Sequence, residues 1–291
     1  MSTEMIREKA YAKLNISLDV SKLRPDGYHN MVMVMQSVSL CDDLEIEIVP
    51  GGSVCARSNL KYIPKDEKNL AVKAAKIFFH AIGNSTDGAV ISMEKRIPVG
   101  AGMAGGSSDA AAVLRALNRY YGHALRREQL LEAAGEVGSD VPYCLVCGTA
   151  LAEGRGEILT PLKPIPECTF VICKPDFSVS TPELFRALDR MKLCAHPDTA
   201  GLISALNDGD LKQLCRRMYN VFEDVPDRRM RTVSEIKQKL LNGGAEGAVM
   251  TGTGSAVFGI FTDPSAADTV SAELEKEYGF CVSASPVGEQ L

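Results

Sequence analysis

The sequence has no tryptophan, only four histidines, and no uncharged apolar run approaching the ~18 residues that a membrane-crossing helix requires. The histidines are scattered and form no HExxH pattern, so no metal site can be read from them. Positive charge is also scarce: 32 Lys and Arg stand against 37 Asp and Glu, for a net charge of -5. An acidic chain lacks the electrostatic footprint for broad binding to nucleic acid or to an anionic membrane surface, although backbone and a few cations can still hold a nucleotide locally. The opening MSTEMIREKAYAK has neither the apolar core of a secretory signal nor the arginine and serine bias of a transit peptide, which predicts a cytoplasmic protein.

A disulfide framework is missing too. Nine cysteines are an odd number, irregularly spaced, and this predicts reduced thiols. Cys144-x-x-Cys147 has no second pair at matching spacing, since Cys168 and Cys173 are set differently, and it falls in the apolar run VPYCLVCGTALA. Both thiols therefore read as small buried hydrophobes rather than metal ligands.

What is concentrated is glycine and alanine, in residues 98–117, PVGAGMAGGSSDAAAVLRAL. Gly100, Ala101, Gly102, Ala104, Gly105 and Gly106 leave few side chains to keep a ligand from the backbone N–H groups. Ser107, Ser108 and Asp109 predict a helix start, and Ala110, Val113, Leu114 and Leu117 then recur at helical spacing. A loop of that kind leading into a helix N-terminus suits phosphate oxygens. Gly100-x-Gly102-x-x-Gly105 matches the dinucleotide fingerprint, but the approach VISMEKRI is polar and half exposed where that fold has a buried apolar strand. No lysine follows the glycines, so the loop is not a Walker A motif either.

Before this loop the chain reads as β-rich. Residues 6–20 alternate as a strand with Tyr11, Lys13 and Asn15 on one face, where a lysine is either solvated or functional. RPDG at 24–27 is a turn, strands are predicted over 32–40 and 43–49, and a helix over 69–82. After the loop come a helix over 126–137 and the turn 138–142, where Asp140 is either a turn former or cap, or a working carboxylate. Pro161, Pro164 and Pro166 mark a boundary that divides the chain into residues 1–160 and 161–291. The second part predicts a strand at 169–173, helices at 181–191, 199–206, 211–222 and 228–241, a strand pair at 248–250 and 256–261, a helix at 265–278 and a strand at 280–285. Interleaved strands and helices give an α+β class.

Three stretches, AKLNISLDV, PVGAGMAGGSSDAAAVL and MTGTGSAVFGIF, stand in the order found in the GHMP kinase superfamily, which the chain resembles over nearly its whole length. The extra glycines, with RPDGYH and GSDVPY, resemble the branch that acts on a cytidylylated methylerythritol in the non-mevalonate isoprenoid route; a sibling small-molecule kinase and a non-catalytic nucleotide-binding regulator are the other readings. The resemblance implies a two-domain α+β fold, with an N-terminal ribosomal protein S5-like ATP-binding domain and a C-terminal ferredoxin-like α/β sandwich completing the substrate site. It implies ATP and Mg²⁺ as cofactors and a small molecule, not nucleic acid or membrane, as partner. Asp140 is then the catalytic base and Lys13 its cationic partner. ATP falls on Asn69, Leu70, Pro98, Val99, Gly100, Ala101, Gly102, Met103, Ala104, Gly105, Gly106, Ser107 and Ser108, with Ser107 on the metal side. The substrate falls on Asn15, Tyr28, His29, Thr181, Phe185, Gly252 and Gly254, with Phe185 stacking opposite Tyr28. Ala104 stands where this branch often has glycine, a change expected to be tolerable if φ is negative there.

Overall fold

The computed structural model describes residues 5–191, 193 and 195–291. Two long strands, β1 (Met5–Leu23) and β2 (His29–Pro50), form an antiparallel ladder that frames the first sheet. The RPDG segment turns the chain between them. Gly27 sits at φ +82° and donates to the Arg24 carbonyl at 3.0 Å, while Asp26 Oδ1 accepts from the Tyr28 N–H at 3.1 Å.

The alternation expected along residues 6–20 holds only in part. Register shifts between Tyr11 and Ala12 and between Asn15 and Ser17 break the period of two, and residues 12–18 are all buried. Such bulges re-aim side chains; here they leave Lys13 and Asn15 under cover.

The first sheet gains β3 (Cys55–Ser58), β4 (Asp87–Glu94), β5 (Thr149–Gly154) and β6 (Ile158–Pro161). Helices α1 (Leu70–Ala81), α2 (Gly105–Tyr120), α3 (Arg127–Val137) and α4 (Val141–Val146) pack against it and one another. Alanines at 110, 111, 112 and 116 leave α2 buried from Ser108 to Asn118 and let neighbouring backbones come close. The one guanidinium in that stretch, Arg115, is satisfied by the carbonyls of Cys144 at 2.7 Å and Lys9 at 2.9 Å and by Glu8 at 3.3 Å. The apolar run after Asp140 divides into α4 and β5 because Cys147 (φ +62°) and Gly148 (φ +78°) reverse the chain between them. Cys144 and Cys147 are buried, as expected, and burial pushes the Cys144 thiol up to about 12.

The second sheet contains β7 (Thr169–Cys173), β9 (Gly247–Met250), β10 (Val257–Phe261) and β11 (Cys281–Ala284) in the order β11-β7-β10-β9, every pair antiparallel. Around it lie α5 (Thr181–Leu188), α6 (Thr199–Asp208), α7 (Leu211–Cys215), α8 (Arg229–Asn242) and α9 (Pro264–Tyr278).

Two short strands from this half join the first sheet: β8 (Tyr219–Asn220) runs parallel to β1, and β12 (Pro286–Val287) pairs with β2. The helix expected over 211–222 therefore ends at Cys215. Asn220 explains the break. Its side chain donates to the Met250 and Gly252 carbonyls at 2.7 and 2.8 Å and accepts from the Phe222 N–H at 3.0 Å, three bonds that a helical backbone there would forfeit. Among the described residues no helix is long and apolar enough to cross a membrane.

Candidate active site

The glycine-rich loop is held at both ends and from above. Helix α2 begins at Gly105, two residues ahead of the serines that predict its cap, and Ala104 is its N-cap at φ +57°, ψ +31° with no side-chain cap bond. The tolerance expected of an alanine at 104 rested on a negative φ, and the structure corrects this. The left-handed conformation lets the Ala104 carbonyl accept from the Ser108 N–H at 2.9 Å, and a methyl group there costs about 1–2 kcal/mol relative to glycine. With no side-chain cap, the first-turn N–H groups open onto a cavity of about 360 Å³ lined by residues 98–107, Asn69, Leu70, Lys95 and Asp109, among others.

The two serines divide their work. Ser107 faces the cavity, whereas Ser108 is buried and its hydroxyl donates to the Tyr11 carbonyl at 2.7 Å, fastening α2 to β1. Asn69 caps α1 by accepting from the Ala71 N–H at 2.9 Å and donates to the Pro64 carbonyl at 2.8 Å. Its amide is thus engaged, and Asn69 and Leu70 shape the cavity wall.

The loop over residues 251–255 lies directly on the glycine loop. Thr251 Oγ1 reaches the Gly102 carbonyl at 3.2 Å, Ala256 N–H donates to the Ala101 carbonyl at 3.2 Å, and a Cβ on Gly102 would run into the Thr251 carbonyl. This close approach is what glycine permits at position 102, which also takes φ +77°. Gly252 likewise lies backbone to backbone against Gly102, while Gly254 sits over Met250 and lines neither cavity described here.

A second cavity of about 730 Å³ meets the first at Gly102 and Ala104, which line both. Lys13, Asn15, Tyr28, His29, Asp140, Thr181, Phe185 and Gly252 line it, so eight separately predicted positions from both halves of the sequence converge on one space. Lys13 is 6% exposed; its Nζ donates to Asn15 Oδ1 at 2.6 Å, and its backbone N–H donates to the Met103 carbonyl at 3.2 Å. Burial pulls the Lys13 ammonium below its ordinary value, and the Asp140 carboxylate acts to raise it again. Among the described residues the two form no ion pair within 4.0 Å, and both line the same cavity.

Asp140 is the N-cap residue of α4 but makes no capping bond, so its carboxylate is available to the cavity. Asn15 has no exposed surface, and its Oδ1 also accepts from the Gly252 N–H at 3.0 Å. It is the tie between β1 and the 251–255 loop as much as a cavity wall. Thr181, at the start of α5, bonds Thr253 through their hydroxyls at 2.8 Å.

The aromatic wall differs from the expected pairing. Phe185 stacks on His29, with centroids 4.9 Å apart and planes 30° apart, and Tyr28 lies 52% exposed beneath the Arg155 guanidinium at 4.9 Å. Phe222 packs against Phe185 at a steep angle, with centroids 4.9 Å and planes 77° apart. Arg155, Arg186 and Asp189, which sequence reasoning did not single out, also line this end.

A buried ionic cluster under the glycine loop was missed as well. Lys95 Nζ donates to Asp109 Oδ2 at 2.5 Å and to Asp42 Oδ2, and Asp42 Oδ1 accepts the N–H groups of Arg96 at 2.5 Å and Ile97 at 2.8 Å. A signal was present: Lys95 occupies the apolar phase of the alternation Ile91, Met93, Lys95, Ile97 and is buried with them. Burial works against the charge on Lys95, yet Asp109 and Asp42 hold its pKa above the ordinary value. Two carboxylates share that ammonium, and Asp109 Oδ1 has no partner among the described residues.

Burial, opposed by Lys95 and reinforced by Asp42, pushes Asp109 up from 3.8 to about 8. A carboxyl whose folded value is raised stabilises the fold fully below its unfolded value and loses that contribution as pH climbs through the folded value. Stability is therefore expected to decline between pH about 4 and about 8. Asp109→Asn should flatten that decline by on the order of 1 kcal/mol or more, read from urea midpoints across the range. Equal slopes in parent and variant would exclude Asp109 as the titrating group.

Comparison with known proteins places the chain. The family described as GHMP kinases N terminal domain matches residues 69–148, and GHMP kinases C terminal matches residues 202–279. The 4-diphosphocytidyl-2-C-methyl-D-erythritol kinase of Clostridium botulinum (strain Alaska E43 / Type E3) is 43% identical over 270 residues, covering 93% of this chain and 96% of that protein. The protein of the same name from Caldicellulosiruptor saccharolyticus is 43% identical over 88% of each chain. A crystal structure of 4-(cytidine 5'-diphospho)-2C-methyl-D-erythritol kinase superposes with a TM-score of 0.80 at 32% identity, over 97% of this chain and 100% of that one. Homoserine kinase from Cytophaga hutchinsonii, at 20% identity and a TM-score of 0.78, shares the fold. Identity at that level across almost the full length, together with both family matches, shows that the chain belongs to the GHMP kinases, in the family of 4-diphosphocytidyl-2-C-methyl-D-erythritol kinases.

Proposed function

We propose that this chain transfers the γ-phosphoryl group of ATP to the 2-hydroxyl of 4-diphosphocytidyl-2-C-methyl-D-erythritol, a step of the non-mevalonate route to isopentenyl diphosphate and terpenoids. The observation that carries this reading is the junction of two cavities at Gly102 and Ala104, with a glycine-rich helix N-terminus on one side and Lys13 and Asp140 on the other. ATP lies along residues 98–107 with its phosphates against the first-turn N–H groups of α2, whose dipole favours anions. The acceptor lies in the larger cavity, its base at the wall of Tyr28, His29 and Phe185 and its hydroxyl toward Asp140.

Asp140 takes the proton of a tertiary hydroxyl, itself a poor nucleophile near neutral pH, as the oxygen attacks the γ-phosphorus. Lys13 sits in a water-poor enclosure where its charge is least screened, and it stabilises the phosphoryl group in flight. Alignment and charge neutralisation are the main requirements of phosphoryl transfer. Asn15 keeps Lys13 aimed and fixes the 251–255 loop over the junction. The Ser107 hydroxyl, facing the nucleotide cavity, suits a Mg²⁺ ion that arrives on the triphosphate, and the described residues offer no cluster of three or more His, Cys, Asp or Glu to cage a metal without it. Bound there, the ion would neutralise β- and γ-phosphate charge.

Residues 1–160 serve as the ATP-binding domain and residues 161–291 complete the acceptor site through Thr181, Phe185 and Gly252. The eight described cysteines that stand free suit a reducing, cytoplasmic setting.

A phosphate-transfer assay with Mg²⁺-ATP tests the reading, offering the cytidylylated methylerythritol, homoserine, mevalonate and galactose in parallel. Turnover confined to the first is expected. Turnover of another alcohol without it would assign the chain to a sibling kinase, and binding of ATP with no transfer to any would make it a regulator.

A further inference from the structure

We propose that Asp189 sets which base the acceptor cavity takes, by holding the proton of His29 on Nε2 and so leaving Nδ1 as a hydrogen-bond acceptor for the exocyclic amine of cytosine. This rests on the function proposed above and assigns a positioning role to a residue that need not touch the substrate. His29 Nε2 lies 2.7 Å from Asp189 Oδ1. An ionised carboxylate only accepts, so the proton in that contact belongs to Nε2, and in a neutral imidazole the other nitrogen is then an acceptor. Among the described residues nothing hydrogen-bonds to Nδ1, and His29 is part of the cavity wall.

The ring is also held against rotation. Its side chain is 8% exposed and lies on Phe185, which Phe222 supports from the edge. Asp189 is the C-cap residue of α5, the helix that carries Phe185, and its backbone N–H donates to the Phe185 carbonyl at 2.9 Å. One helix end therefore presents both the platform beneath the imidazole and the carboxylate that fixes its tautomer. Cytosine carries an amine donor at C4, whereas uracil carries a carbonyl acceptor at the same place. Against a fixed lone pair on Nδ1 the first forms a hydrogen bond and the second meets repulsion, a difference that is large in an enclosed site because the mismatched groups stay unpaired.

The test compares kcat/KM for the cytidyl substrate and its uridyl counterpart in the parent, Asp189→Ala and Asp189→Glu. The parent is expected to favour cytidine. Asp189→Ala should reduce that preference on the order of tenfold with KM for ATP unchanged, and Asp189→Glu should recover most of it. Equal loss on both substrates in Asp189→Ala would reduce Asp189 to a structural prop and overturn the proposal.

A second measurement needs no variant to fold. Histidine ¹⁵N NMR of the unmodified chain should find the His29 proton on Nε2, and a proton on Nδ1 would overturn the assignment. If the parent turns over neither substrate, the proposed function fails. The base preference is then read from the Kd for CDP against UDP: a preference for CDP that Asp189→Ala removes supports the role of Asp189, and no preference overturns it.

Discussion

Replacing Asp140 with asparagine is expected to lower kcat by roughly 10²- to 10⁴-fold while KM for ATP changes little. The substitution keeps the volume and the position at the head of α4, where the side chain makes no capping bond whose loss would disturb the helix. What it removes is the proton acceptor, and the nucleotide cavity is built by other residues. A second effect follows from the neighbouring ammonium. Burial already draws Lys13 below its ordinary value and the Asp140 carboxylate opposes this, so the variant should lower the Lys13 value further. The alkaline limb of the residual pH–rate profile should accordingly move to lower pH. Stopped-assay rates across pH check both points, and near-parental turnover would remove Asp140 from the chemistry.

Lys95→Met is expected to cost about 3–5 kcal/mol of stability, because it leaves the buried Asp42 carboxylate without its counter-charge and Asp109 without its hydrogen-bonding partner. Methionine fills much of the same space, so the loss reports charge rather than a cavity. Asp42 is the more demanding of the two. Its Oδ1 holds the N–H groups of Arg96 and Ile97, which lead into the glycine loop, and disorder there would reach the nucleotide site. Urea denaturation should show the loss. An unchanged midpoint in Lys95→Met would mean that the cluster contributes nothing to the fold.

The features legible in the sequence are those whose cause is local. Glycine and alanine at 100–106 mark a loop with open backbone, the spacing of Ala110, Val113, Leu114 and Leu117 marks the helix behind it, and both are present. RPDG closes its turn through contacts within five residues, so short-range chemistry sufficed. Lys13 was ambiguous because its burial depends on two bulges in β1 and on a loop more than two hundred residues later, none of which leaves a mark near position 13. The sign of φ at Ala104 was not legible either; it is imposed by the start of α2. Asp189 escaped notice because the pairing that gives it meaning, with His29, spans 160 positions. The truncated α7 has the same origin, since the side chain that stops it, Asn220, finds its acceptors at Met250 and Gly252.

The strand β8 has a consequence for how the chain assembles. Its parallel pairing joins Ser17 to Tyr219, and the adjoining Asn220 carries the 251–255 loop. Bringing together segments so far apart along the chain has a loop-closure entropy that no local contact offsets, which makes the seam a late event in folding. The helix behind the nucleotide loop has local hydrogen bonds of its own and can form earlier, whereas the loop itself is covered by the distant 251–255 segment. Both compartments share Gly102, which the 251–255 loop covers, so a newly made chain completes its two binding sites together, once residues 12–18 and 219–255 have found each other.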